Sequence, residues 1–516
     1  RTDQSCPSWI GTPASNLARR IVSEDLTLAT LGAATFPATA LVLNTGDRAA
    51  LREFVIEDRA NLAGTDVAED YDIRLAFDAN RAVIVGALEI AGMGVSQQFG
   101  STANSIFSIV GNLGDGNDSL LIRSDVLNDS VIRGGDGADF IKGGAGRDNF
   151  SGEAGNDILA GGAGDDTLNG GGENDDLDGG AGGDSLNGGA GRDKVTYENG
   201  TGSGVTLFEQ GGKLIGFGGE ADGDVLESIE YIVGTNLSDQ LVAIAAGDGN
   251  VRTLEGRNGN DLLEGTDATR DFLLGGRGGD FLNGMGGQDG TSYVTSFAGV
   301  RIDMQRQTYA GGDAEGDILV SIEAVQGSGF ADIIFGDGAD NVIDGFLDND
   351  TLFGGAGKDK VSGGDGDDII FAIGDGDTLD GGGTLGSSGV DLLSYRFVQG
   401  GTGVTVNLKT GVGGGGDVLA MEKFTLDGTS LAGTSSFENL EGTDFVDSLR
   451  GDVGENRIDG RSGNDTLFGD GGNDTLVGGV GADSLDGGGG IDLADYLTAG
   501  GRVTVNLATG TGTGFD

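Results

Sequence analysis

From Gly134 to Thr196 the chain can be cut every nine residues without slipping: GGDGADFIK, GGAGRDNFS, GEAGNDILA, GGAGDDTLN, GGGENDDLD, GGAGGDSLN, GGAGRDKVT. In all seven frames the eighth position is apolar: Ile141, Phe150, Leu159, Leu168, Leu177, Leu186 and Val195. A lone apolar residue flanked mostly by polar ones reads as a three-residue strand whose middle side chain faces inward. The GGxGxD stretch before it reads as a tight turn, because glycine accepts positive φ. Two units then make one coil of 18 residues, and successive apolar residues stack into a narrow core. A second stretch holds six frames from Gly327 to Asp380 and a third holds six from Gly442 to Asp495, with Asn341 and Asn456 replacing one sixth-position Asp in each. A less regular set lies around Gly256 to Ser292.

A longer period of about 100 residues overlies the short one. Each block of frames closes on an Asp followed four residues later by a Tyr: Asp193 and Tyr197, Asp289 and Tyr293, Asp391 and Tyr395, Asp492 and Tyr496. An alternating strand follows at Val205 to Phe208, Val300 to Met304, Val404 to Leu408 and Val503 to Leu507. Next come an Asp with two apolar residues (Asp224, Asp317, Asp417), an apolar residue before Glu230, Glu323 or Glu438, and a Gly-Ser/Thr pair that restarts the coil at Gly234, Gly327 and Gly442. Each interruption reads as a β excursion that packs beside the coil or widens its rungs. The tyrosines read as buried anchors at the junctions in preference to recognition residues. The three glutamates read as solvated or capping carboxylates in preference to metal ligands or half of an acid/base pair.

The first hundred residues have a different texture. All three prolines (Pro7, Pro13, Pro37) and the only tryptophan, Trp9, fall there. A short helix is predicted over Ala14 to Val22, and strands at Glu53 to Ile56, Tyr71 to Phe77, Ala82 to Ile90 and Ser105 to Val110. The predicted organisation is a small, mostly β N-terminal domain or cap at 1–110, then modules at 111–243, 244–326 (irregular), 327–441 and 442–516 (incomplete). A cap suits a solenoid, whose bare end exposes core and strand edges.

Composition narrows the chemistry. Glycine fills 107 of 516 positions, and 83 acidic against 30 basic residues leave a formal charge of −53 and a pI near 4.1. That charge disfavours nucleic acid and anionic membrane as partners. The absence of histidine removes HExxH zinc sites, Ser-His-Asp and Cys-His catalysis, and no G-x-S-x-G nucleophile elbow occurs. Cys6 is the single cysteine, so no internal disulfide holds the fold and no His activates the thiol. No run of 18 apolar residues predicts a membrane-spanning helix. The start at Arg1, without Met or a signal-peptide pattern, suggests a processed or partial product.

What holds such thin rungs together follows from the turns. Each unit buries one medium-sized side chain against the entropy of ordering nine residues. The turns converge carbonyls and carry a hard carboxylate oxygen, so they form an oxygen cage for a cation, consistent with about one net negative charge per turn. Without that cation the acidic, glycine-rich chain is expected to be largely disordered.

The nonapeptide GGxGxDxUx resembles the RTX (repeats-in-toxin) family of calcium-binding repeat proteins, over most of residues 113 to 516. The resemblance implies an all-β parallel β-roll, or β-solenoid, with Ca²⁺ between facing turns, held by Asp side chains and glycine-loop carbonyls. It pairs Asp139 with Asp157, Asp148 with Asp166 and Asp447 with Asp465. The ligand set it implies is Asp139, Asp148, Asp157, Asp166, Asp175, Asp184 and Asp193 in the first block, and Asp261, Asp280 and Asp289 in the irregular set. Asp332, Asp350, Asp359, Asp368 and Asp377 belong to the next block, and Asp447, Asp465, Asp474, Asp483 and Asp492 to the last. The implied load is on the order of 15 calcium ions.

The expected function is non-enzymatic: a secreted, extracellular protein at the surface of a Gram-negative bacterium, exported by type I secretion. It would rigidify on calcium and self-associate into a surface layer, filament or adhesive matrix, with a surface polysaccharide or other surface component as a further partner. There is no nucleic-acid partner and no membrane insertion in this reading. The alternative is the secretion and folding region of a secreted hydrolase whose catalytic domain lies outside this chain; a pore-forming toxin is weaker for want of an apolar helix. Asp516 aligns with Asp417, mid-module, so further sequence or a neighbouring subunit is expected to complete the last layer, and no C-terminal secretion signal is evident in the last sixty residues.

Overall fold

The computed structural model describes most side chains in residues 109–497, with backbone strands alone at several places outside and within that span. The region predicted as a helix, Ala14 to Val22, lies outside the described residues. The chain divides into two compact units, Arg1–Arg257 and Asn258–Asp516. Each is an all-β parallel solenoid, without α-helix among the described residues, and the two together contain about 19 turns.

In the first unit the 18-residue step is read directly from the strand register. Phe140–Lys142, Ile158–Ala163, Asp176–Ala181 and Lys194–Thr196 form one parallel sheet, aligning Ile141, Leu159, Leu177 and Val195. Asp148–Ala154, Thr167–Gly172 and Ser185–Ala190 form the opposite sheet, aligning Phe150, Leu168 and Leu186. All seven apolar side chains are at most 1 % exposed. These strands are longer than the three residues predicted, because the following glycines continue the ladder. Gly182, with φ 150°, lies against the carbonyl oxygen of Gly164 one coil earlier, where a Cβ would collide. Nearer the N-terminus, Glu53–Glu57 pairs parallel with Ser108–Asp115, and Asp70–Phe77 pairs antiparallel with Val83–Gly92 and parallel with Ser119–Ile122.

The junction after Thr196 widens a rung. The chain makes an antiparallel hairpin, Thr206–Gln210 with Lys213–Phe217, then returns at Val225–Glu227 beside Ser185–Ala190. The hairpin enters the same sheet: Lys213–Phe217 runs antiparallel to Val225–Glu227, and Thr206–Gln210 runs parallel to Gln240–Val242. On the opposite face Tyr231–Val233 stacks on Lys194–Thr196, so that sheet continues unbroken.

The second unit repeats the scheme with mostly three-residue strands. Ile333–Phe335, Thr351–Phe353, Ile369–Phe371 and Leu392–Ser394 stack in parallel, as do Val342–Leu347, Lys360–Asp365 and Thr378–Gly382 opposite. Hairpins recur at Arg301–Asp303 with Thr308–Ala310 and at Val404–Asn407 with Val412–Gly415. The last coils are open: Leu485 is only partly covered, and Ile491 and Leu497 are 84 % and 88 % exposed.

Among the strand side chains, stability should follow the inward column. Leu168→Ala is expected to lower the stability of the calcium-loaded protein by about 2–5 kcal/mol, whereas Thr167→Ala on the outward face stays within about 0.5 kcal/mol. Denaturant unfolding in excess calcium distinguishes the two.

Candidate metal centre

Each sixth-position aspartate sits where its turn ends and its strand begins, so an 18-residue coil places it directly above its counterpart. Its carboxylate reaches back one coil. The backbone N–H of Asp139 donates to Oδ1 of Asp157 (2.8 Å), Asp157 to Asp175 (2.9 Å) and Asp175 to Asp193 (2.9 Å). A second ladder runs along the other edge, from Asp148 to Asp166 (2.7 Å) and Asp166 to Asp184 (2.8 Å). In the second unit the same bond joins Asp261 to Asp280 and Asp271 to Asp289, Asp332 to Asp350 and Asp350 to Asp368, and Asp359 to Asp377. It also joins Asp447 to Asp465, Asp465 to Asp483 and Asp474 to Asp492. The three implied pairs, 139 with 157, 148 with 166 and 447 with 465, are therefore neighbours in the fold. Of the twenty implied ligands, eighteen are buried, while Asp483 is half-buried and Asp492 exposed on the open last coils.

One carboxylate oxygen is thereby used. The other is not: Oδ2 of Asp139, Asp157, Asp166, Asp175, Asp184, Asp193, Asp280, Asp289, Asp350, Asp359, Asp368, Asp465 and Asp474 is buried without a hydrogen-bond donor. Such atoms are rare in folded proteins, since burying an acceptor without a partner is costly. Each lies against the first glycine of its own frame, where stacked carbonyls also gather. The space beside Gly161, for example, is lined by Asp166 Oδ2 and the Gly179 carbonyl, and that beside Gly170 by Asp175 Oδ2 and the Gly188 carbonyl.

This donor set, all hard oxygens with a formal negative charge and no competing N–H, fits a divalent cation of the calcium type. Among the described residues no group of three or more carboxylates converges, so main-chain carbonyls must supply much of any coordination shell. Calcium, when bound, supplies the positive charge that these oxygens lack.

Burial sets the electrostatics. Desolvation, reinforced by neighbouring carboxylates, raises Asp139, Asp184 and Asp193 to about 6, Asp166 and Asp175 to about 7, and Asp350 to about 8. Backbone N–H donation opposes these shifts without cancelling them.

The ladder also passes through residues outside the nonapeptides. Asp184 N–H donates to Asp224 (2.8 Å), Asp280 to Asp317 (2.9 Å) and Asp368 to Asp391 (2.9 Å). Asp193, Asp289 and Asp391 donate to Glu230, Glu323 and Glu438 (2.9, 2.9 and 2.8 Å). Of the two alternatives expected for Glu230, a solvated or a capping carboxylate, the solvated one does not hold: it accepts the Asp193 N–H, is 4 % exposed and faces the buried Arg252 guanidinium at 3.3 Å, because the coil resumes directly beneath Asp193. Asp271 is a rung missed in the sequence; the stretch from Gly265 carries one extra residue and breaks the nine-residue frame. The Gly-Thr pair at Gly265 was its available signal. Tyr197, Tyr293 and Tyr395 are buried, as expected of anchors, while Tyr496 is 37 % exposed.

Coils stacked at 18 residues with oxygen-lined turns on both edges define a cation-binding parallel β-roll. The protein-family comparison agrees: the RTX calcium-binding nonapeptide repeat (4 copies) matches residues 133–168, 160–195, 169–202, 266–290, 326–361, 433–467, 441–476 and 459–494. The chain carries RTX calcium-binding nonapeptide repeats across much of its length, and these repeats imply calcium binding and are typical of secreted bacterial proteins. No curated protein matches the chain.

The raised carboxyl groups fix the sign of the pH dependence. In the metal-free fold they bind protons more tightly than in the unfolded chain, where the carboxyl value is 3.8. Their contribution is complete below 3.8 and is lost as pH rises through about 6 to 8. In chelator, far-UV circular dichroism should therefore report more β structure at pH 5 than at pH 8. With calcium the sign reverses: protons compete for the carboxylates, so the calcium midpoint of folding should rise as pH falls from 8 to 5.

Proposed function

We propose that this chain is a structural component of a bacterial cell exterior, a calcium-stiffened repeat protein that self-associates into a surface layer, filament or adhesive matrix. The observation carrying this reading is the row of buried aspartate oxygens without donors, recurring along both units. It gives nearly the whole described chain a single role, which is to become rigid where calcium is plentiful. Calcium is scarce in the cytosol, leaving the chain soft enough for export, and roughly millimolar outside, where it drives coil formation and traps the folded coils. On the order of 15 ions would be held, offsetting much of the −53 charge that otherwise keeps copies apart.

Support for self-association comes from the outward face of the second unit. Phe335 and Phe353, half-buried, stack with the buried Phe371 at 4.2 Å centroid spacing, and Phe397, 48 % exposed, packs 5.1 Å from Phe371 as the accessible end of the cluster. The non-enzymatic reading is supported by the absence of histidine and by the engagement of the recurring glutamates in ladder hydrogen bonds.

Negative-stain microscopy of the purified chain tests this. Filaments or lattices in calcium that disperse in EGTA are expected. Monomers that stay dispersed in calcium would contradict it, and hydrolysis of a polysaccharide or protein by the native secreted product would favour an enzyme's appendage instead.

A further inference from the structure

Two carboxylates reached after the junction hairpins, Asp224 and Asp317, differ from most of those inside the blocks in one respect: a side-chain hydroxyl donates to their second oxygen. Within the first block the Gly144 N–H does so for Asp148 alone among the seven frame aspartates. Asp184 and Asp224 are successive rungs of one ladder in the first unit. Oδ2 of Asp184 is buried without a partner, whereas Oδ2 of Asp224 accepts the hydroxyl of Tyr197 at 3.0 Å. Asp280 and Asp317 repeat the contrast in the second unit, with Tyr293 donating to Asp317 Oδ2 at 2.8 Å. Both tyrosines are buried, 1 % and 3 % exposed, so neither hydroxyl is spent on water.

The turn that reopens each block is satisfied as well. Thr235 donates its N–H to Asp239 Oδ2 (2.7 Å) and its hydroxyl to Oδ1 (2.9 Å). Ser328 does the same for Asp332 and Thr443 for Asp447. A block of donor-starved carboxylates is thus bracketed by a tyrosine at one junction and a Ser/Thr turn at the next restart.

We propose that Tyr197 and Tyr293, together with the Ser/Thr turns that follow them, stand in for the cation at the module junctions, so that each junction folds without calcium. A phenol O–H aimed at a buried carboxylate oxygen presents the positive end of a dipole where a cation presents a full charge. It is built into the chain and is present at any calcium level. The antiparallel hairpins at the junctions, whose strands are neighbours in sequence, close a short loop and need no stacked coil to register. Each junction then offers a preformed rung on which the neighbouring block zips when calcium arrives, and loss of calcium melts the blocks while leaving the junctions in place. The tyrosine four residues after a block's last Asp, with the Asp it meets beyond the hairpin (Asp224, Asp317), and the Gly-Ser/Thr pair become the marks of metal-independent rungs, while Asp193 and Asp289 stay with the metal-dependent ones. The inference rests on the reading of the interior aspartates as calcium ligands.

Hydrogen exchange with mass spectrometry on the whole chain, in calcium and in EGTA, tests it. In EGTA, peptides covering Tyr293–Gln326 should exchange at least about tenfold more slowly than those covering Asp139–Asp193. Tyr293→Phe, which removes only the hydroxyl, should erase that protection in EGTA while leaving the Tyr197–Val233 peptides unchanged. Junctions that exchange as fast as the blocks in EGTA, or protection that survives Tyr293→Phe, overturn the proposal while leaving the calcium reading intact. Blocks that stay protected in EGTA overturn both. If Tyr293→Phe does not fold even in calcium, the wild-type contrast between junction and block decides alone.

Discussion

The structure depends on a half-satisfied carboxylate. An aspartate at the end of a turn accepts the N–H of the aspartate one coil before it, in the same 18-residue register as the strand pairing. That bond uses one oxygen and buries both. At most of the aspartates inside the blocks, Asp157, Asp166 and Asp359 among them, the second oxygen is buried against glycine without a hydrogen-bond donor. The apolar column is only one side chain wide per strand, so the fold has little surplus with which to absorb this defect. A cation in the turns removes the defect and links successive coils. Folding and metal binding are then one equilibrium.

Much of this was legible in the sequence because the pattern is local. A nine-residue frame dictates that Phe150, Leu168 and Leu186 share a column and that Asp139 lies over Asp157, and both relations are present. The strands at Glu53, Tyr71 and Val205 and the burial of Tyr197, Tyr293 and Tyr395 were similarly readable from alternation and spacing. What was not readable is what topology decides. Asp224 and Glu230 become rungs only because the chain returns, after a hairpin, to the sheet positions beside Asp184 and Asp193, which are 40 and 37 residues away. Nothing in the local spacing announces that Tyr197 will meet Asp224, nor that Asp271, one residue late in its frame, still pairs with Asp289 at a separation of 18.

The junctions give the repeat a second level of organisation. Parallel coils are non-local and slow to nucleate, since each new rung needs one already in place. Antiparallel hairpins and chain-supplied donors interrupt them about every 100 residues, dividing the coils into segments.

The most direct test of the central claim is a crystal structure of the calcium-loaded protein with anomalous scattering from the ion or a lanthanide substitute. Peaks in the turns within bonding distance of the interior aspartates, such as Asp157, Asp166 and Asp359, and none at Asp224 or Asp317, are the predicted result. Interior turns without anomalous density, in crystals grown at saturating calcium, would contradict the account.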